Sequence, residues 1–438
     1  MKSRWVKDLA PVMALLVISA CGQQERAAET TTGFIVEGLE VIFLQTPDQP
    51  LVAFGFYLKG GGNYVGANQS GIEVLLLETA LRGTETRSHK SLVRRLTGLN
   101  THFDVTSSDD FTGLRGLTPK ANFAAAWELF ADILMRPRLE PADIEKVRRR
   151  MLAQMTMFGE YPAEVALDMA VGDYYADHPY RYIRTGGAKS IAALTRNDLI
   201  QFYRADFTKN RSLLAVVGDL TIEEVTRLAR KLARKLPQGP DLLLPGLTFD
   251  AGDGGAAVKR QSLPTHFLTG LFSAPRPGHA EYPAFTVALE LFRQRLVTQL
   301  QSRRALTDRV VTREGDLVAN YGSISFTTTE LVAAVSVVRN TLADLMSGEI
   351  TEPEVKAAMQ QRLIQYMMQA GSVEGKLDRM AQWGIVAEDW RQAEQFPAEV
   401  AKVTADEVRA MVRKYIRRIH WGGIGPSRRL KAGLFKAR

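Results

Sequence analysis

Apolar residues recur along this chain at two spacings, and each change of spacing marks an element. Leu51 to Lys59 alternates apolar and small residues, the period of a strand lying centrally in a sheet. Gly71 to Gly83 is an apolar run at helical spacing that stops at a glycine. Helical patterns also run over Ser88–Leu99, Asn122–Met135, Glu140–Phe158 and Ala163–Tyr175. Pro141 falls in the first turn of its helix, where proline is tolerated. Shorter apolar runs predict a hairpin over Phe34 to Thr46 that turns at Gly38, and a strand over Ser212 to Gly218. Thr101 to Leu117 predicts two strands joined near Ser107-Ser108-Asp109-Asp110. Gly60-Gly61-Gly62 comes directly after the central strand and predicts a flexible loop, since no Gly-Lys-Ser/Thr is present there to make a phosphate cradle. Leu194 to Leu199 opens a helix with a good cap signal, and Thr221 caps another that ends near Leu236.

Beyond Leu236 the periodicity lapses. Pro237 to Gly255 is rich in proline, glycine and aspartate and reads as a linker, residues 237–256. The chain beyond the linker resembles the chain before it. Ala131-Asp132-Ile133-Leu134 returns as Ala343-Asp344-Leu345-Met346. Leu194-Thr195-Arg196-Asn197-Asp198-Leu199 returns as Val403-Thr404-Ala405-Asp406-Glu407-Val408. The strand ending at Gly218 has its counterpart at Trp421 to Gly425. These echoes predict two like α+β domains, residues 33–236 and 257–430, and a length of 438 residues accommodates them.

The first residues belong to neither domain. Lys2, Arg4 and Lys7 precede a short apolar run, Leu9 to Ile18, and then Ser19-Ala20-Cys21. The run is too short to span a bilayer, and the segment resembles a bacterial lipoprotein signal, residues 1–20, with Cys21 as the lipidated residue. Cys21 is the only cysteine of the chain, which excludes internal disulfides and thiolate metal clusters. Residues 21–32 then read as a polar tether. No aspartate follows Cys21, which favours the outer over the inner membrane and puts the domains on the periplasmic face of a bacterial envelope. The net charge of +8 falls to +6 when Lys2, Arg4, Lys7 and Asp8 leave with the signal. The basic residues are scattered, which argues for solvated faces rather than a nucleic-acid surface.

Candidate chemistry sits in the Gly71–Thr84 stretch. Its frame resembles the zinc-site helix of the insulinase/pitrilysin peptidases, which reads G-[LI]-x-H-x-x-E-H-x-x-x-x-G-T. Gly71, Ile72, Leu75, Gly83 and Thr84 fit that frame. Histidines at i and i+4 share a helix face and can hold one zinc, with the intervening glutamate as general base. Here the first histidine falls on Val74, the glutamate on Leu77 and the second histidine on Glu78. Two hydrocarbon side chains and one carboxylate do not make a zinc site.

The resemblance extends over most of the chain. Asp110-Phe111-Thr112 resembles a D-[YF]-T element, and His178-Pro179-Tyr180 an H-P-Y element. It implies that a third ligand lies on the Ala163–Tyr175 helix, near Asp168. It also implies an arginine and a tyrosine, seven residues apart, that hold the substrate carbonyl in the second domain. Those positions fall on Gln301 and Asp308, and a carboxylate repels an oxyanion. In such proteins the strand before the D-[YF]-T element pairs with peptide by main-chain bonds, which makes His102, Phe103, Asp104, Val105 and Thr106 the candidate peptide-binding edge. None of the six histidines lies i+3 or i+4 from another.

The expectation is a pair of homologous domains, each a mostly antiparallel sheet covered by helices, forming half of a clamshell chamber. The function implied is a lipid-anchored, non-catalytic partner of a zinc-bearing relative, with zinc expected only in that partner and with peptide or unfolded polypeptide as its ligand. Alternatives are a stand-alone peptide-binding or assembly lipoprotein, and an active metallopeptidase with an atypical site.

Overall fold

The computed structural model describes residues 29–176, 178–181, 186–240, 242 and 249–435. The signal, Cys21 and most of the tether lie outside the described residues.

Two sheets organise the fold. The first holds β1 (Thr30–Val36), β2 (Leu39–Gln45), β3 (Leu51–Lys59), β4 (His102–Ser107), β5 (Phe111–Pro119) and β6 (Ser212–Gly218), in the order β1-β2-β6-β3-β5-β4. The second holds β7 (Ala256–Arg260), β8 (His266–Ser273), β9 (Val310–Glu314), β10 (Tyr321–Thr328) and β11 (His420–Gly425), in the order β7-β11-β8-β10-β9. Each sheet has one parallel pair, β2–β6 and β7–β11, and is otherwise antiparallel. Apart from β1, the second sheet repeats the first strand for strand. In both, the last strand of the half inserts beside the first two of the shared pattern.

The helices of the first half are α1 (Gly61–Gln69), α2 (Ile72–Ala80), α3 (His89–Gly98), α4 (Phe123–Met135), α5 (Pro141–Glu160), α6 (Pro162–Tyr174), α7 (Ala188–Ala193), α8 (Arg196–Asp206) and α9 (Ile222–Ala233). The second half adds α10 (Tyr282–Leu296), α11 (Leu331–Ser347), α12 (Glu352–Gln369), α13 (Val373–Val386), α14 (Arg391–Val400) and α15 (Ala405–Tyr415). The repeated cap signal forms in both places. Asp198 N–H donates to Thr195 Oγ1 at 3.2 Å, and Glu407 N–H to Thr404 Oγ1 at 3.3 Å.

Strand alternation divides the apolar residues between two faces. In β2, Val41 and Phe43 join the main core of the first half, whereas Ile42 and Leu44 face the other way. In β6, Leu214 and Val216 take the first face and Leu213, Ala215 and Val217 the second. Both faces are covered, so β6 is apolar without interruption. The second face is covered by α13, a helix of the other half, through Val373, Leu377, Met380, Ala381 and Ile385. The exchange is reciprocal. Helix α6 of the first half packs on β7, β8 and β11 of the second sheet. Gly422 permits that contact: a Cβ there would press on the Ala166 carbonyl and fall 2.6 Å from Ala170 N. Periodicity marks both helices as amphipathic but does not say which half each one covers.

Three expectations change. The glycine run is not a loop: α1 starts at Gly61 directly after β3 and bends at Gly66, where φ is +71°. The tether ends before residue 30, because Thr30–Thr32 pair with Phe43–Gln45 in β1–β2. The second domain runs past residue 430, since Phe435 is buried in its core.

Candidate functional site

Helix α2 starts from Gly71 at φ +86° and is buried along almost its whole length, between α5, α8, β4 and β5. Val74 and Leu77 point into the main apolar core. Glu78 is the one residue of α2 that is partly exposed, and its Oε2 lies 2.7 Å from Arg150 Nη2 on α5. A zinc site asks for about four nitrogen, sulfur or oxygen donors. Here two of the three motif positions are hydrocarbon, and the third is already ion-paired to a guanidinium. These residues do not fit a zinc ion. Among the described residues, no three His, Cys, Asp or Glu side chains gather as a metal site.

The structure also moves the third position. The helix that faces Glu78 is α5, whereas Asp168 stands exposed on α6, whose neighbours are the strands of the second sheet. Between Lys146 and Met155, α5 carries no carboxylate.

What holds α2 in place is a buried ion pair one turn earlier. Glu73 meets Arg211 with both side chains almost fully buried. Arg211 Nε donates to the Lys59 carbonyl at 2.8 Å, its Nη1 lies 3.3 Å from Asp206 Oδ1, and the guanidinium sits 3.9 Å from the Tyr64 ring centre. Burial pushes the Glu73 carboxyl up, and Arg211 and the Thr112 hydroxyl oppose that. The Gly83-Thr84 end of the motif is fixed just as firmly. Asp132 Oδ2 accepts from Thr84 Oγ1 at 2.7 Å, Thr86 Oγ1 at 2.8 Å and Arg87 Nη1 at 2.8 Å. These protein groups hold both ends of the motif frame.

In the second half, Gln301 and Asp308 are brought together: the Gln301 amide donates to the Asp308 carbonyl. Asp308, Arg303 and Arg304 are exposed. The pair closes a turn after the π-helical stretch Val297–Ser302, and neither side chain is an oxyanion donor of the arginine or tyrosine kind.

The candidate peptide edge is a sheet edge. Among the described residues, β4 pairs with β5 alone. His102 is exposed, and Phe103 points inward against Phe54 and Phe130. Asp104 pairs with Arg115, which also holds Asp378 of α13 at 2.6 Å. Val105 and Thr106 are half-buried.

The D-F-T and H-P-Y elements meet each other, which their spacing did not reveal. Tyr180 Oη donates to Asp110 Oδ1, and Val318 N–H donates to Asp110 Oδ2 at 3.0 Å. Tyr174 Oη donates to the Asn320 carbonyl at 3.2 Å and Tyr175 Oη to that of Ala319. His420 Nδ1 and Asp173 Oδ2 are 2.8 Å apart. These contacts form the seam between halves, in which the hairpin tips β4–β5 and β9–β10 touch. Desolvation pushes the Asp110 carboxyl up to about 6 against those two hydrogen bonds. The two motifs thus meet at the junction of the halves.

Residues 40–186 match the family model described as insulinase (peptidase family M16), and residues 193–362 match the one described as the peptidase M16 inactive domain. An uncharacterized zinc protease of Mycobacterium leprae is 21% identical over 421 residues, covering 92% of this chain and 94% of its own. A probable mitochondrial-processing peptidase subunit beta of Arabidopsis thaliana is 24% identical over 214 residues, 49% of this chain and 40% of that one. Among solved structures, a peptidase M16 inactive domain from Pseudomonas fluorescens superposes with a TM-score of 0.83 at 18% identity, covering 92% of this chain and 99% of that one. A chain of Complex III2 from Candida albicans gives 0.80 at 14% identity, with 92% and 97% covered.

Proposed function

Because the chain belongs to the insulinase/pitrilysin family, peptidase family M16, we propose that it is a non-catalytic member, the partner or chamber-closing subunit of a zinc-bearing relative. One observation carries this reading. The motif frame is intact and tightly held, while its ligand positions are filled by Val74, Leu77 and an ion-paired Glu78. Two further observations support a partner. Apolar side chains stand exposed at the end of α5 (Met157, Phe158) and of α12 (Met367, Met368), the kind of surface a second subunit covers. The fold also occurs in a chain of a multisubunit assembly. Zinc belongs to the partner in this reading, and nucleic acid has no part in it. Polypeptide substrate would pair with the edge strand β4, over His102–Thr106. Lipidation at Cys21 would hold the subunit on the periplasmic side of the envelope, at the outer membrane.

The test is co-expression with a relative that carries H-x-x-E-H. Co-purification at micromolar concentration, with peptide hydrolysis exceeding that of the relative alone, supports the proposal. Two proteins that elute separately refute it. A stand-alone peptide-binding lipoprotein is favoured by the same edge strand and predicts peptide capture with no relative present.

A further inference from the structure

The one carboxylate among the motif's ligand positions is met by a half-exposed guanidinium. Glu78 stands where a second histidine would, i+4 from Val74. Its carboxylate faces α5 and finds the Arg150 guanidinium at 2.7 Å. Arg150 ends the run Arg148-Arg149-Arg150, and the three arginines do different things. Arg148 is buried and donates to the Ile191 carbonyl, and at 2.6 Å to the Leu194 carbonyl. Arg149 turns back to the Glu145 carbonyl of its own helix at 3.4 Å. Of the three, Arg150 reaches across to α2. No carboxylate lies nearby on α5 to compete for it or to join Glu78 in holding an ion.

We propose that Arg150 is a built-in replacement for a divalent cation: it balances the Glu78 charge, ties α2 to α5, and keeps metal from the Glu78 carboxylate. The inference rests on the metal-free reading of the site, but its test is separate. Failure to co-assemble leaves it standing, and its own failure leaves the partner role standing. A guanidinium is a fixed positive charge that no pH near neutrality removes. An approaching divalent ion would have to displace it and would gain one carboxylate in return, too few donors to hold zinc.

The experiment exchanges the guanidinium for a carboxylate in the full-length protein. In Arg150→Glu, two carboxylates face each other from α2 and α5. The expected result is a Tm lower by about 2–4 °C in metal-free buffer, part of it recovered in excess ZnCl2 because two facing carboxylates and water bind a divalent ion weakly, while the unaltered protein shows no zinc-dependent shift. A Tm in Arg150→Glu that equals that of the unaltered protein, or the same zinc response in both, overturns the proposal. Should Arg150→Glu not fold, Glu78→Gln, Arg150→Gln and the double variant decide. Losses in Tm that fail to add support the brace, and fully additive losses overturn it.

Discussion

Arg211→Ala is the sharpest test of how α2 is held. The substitution leaves Glu73 as a carboxylate with 4% side-chain exposure and no counter-charge. It also removes the donor to the Lys59 carbonyl and the group stacked on Tyr64. Breaking a buried pair by removing one partner costs about 3–5 kcal/mol. With the first half as the unfolding unit, that is a fall in Tm of about 6–20 °C by calorimetry. Removing both charges, as Glu73→Met with Arg211→Met, avoids the stranded carboxylate and should recover most of the loss. Acidification should narrow the Arg211→Ala deficit as well. The folded-state carboxyl is raised by burial, and losing Arg211 raises it further. The folded variant then takes up a proton more readily than the unfolded chain, so stability is regained as pH falls. An Arg211→Ala protein within about 1 kcal/mol of the parent, or a double variant as damaged as the single one, would refute the reasoning.

Three more outcomes are expected at the seam and the emptied site. The Asp110 carboxyl lies near 6 in the fold against an ordinary 3.8, so carrying it ionised at neutral pH costs the fold about 3 kcal/mol. That cost appears as pH rises from about 4 to about 6, and Asp110→Asn should remove this descending part of the Tm–pH curve. Gly422→Val pushes β11 off the backbone of α6 and should destabilise by about 3 kcal/mol, read as early proteolysis between the halves; an unchanged digestion pattern would contradict the close packing. Arg150→Glu should make the Tm zinc-dependent, read by thermal melts with and without ZnCl2.

Most of the fold was legible because its strands and helices are patterned on one or two faces. The apolar run of β6 foretold a strand, and Thr195 and Thr404 announced matching helix starts. The exchange of α6 and α13 between halves was not legible, since an amphipathic helix does not name the sheet it covers. The glycine run misled because Gly60 and Gly61 at positive φ form a tight entry to α1 rather than a mobile loop. At the site, the hydrocarbon side chains Val74 and Leu77 at the motif positions could be read directly. The fate of Glu78 could not, because Arg150 lies 72 positions away and only the packing of α5 on α2 joins them. Asp110 and Tyr180 stood out as parts of motifs, yet their spacing gave no hint that they bond to each other.

In the proposed role this peptidase-family scaffold works without a metal of its own. Elemental analysis of the purified full-length chain, with peptide hydrolysis measured before and after chelation, tests it most directly. Far less than one zinc per chain and no chelator-sensitive hydrolysis are expected. One tightly held zinc per chain, removed by chelation together with peptidase activity, would contradict it.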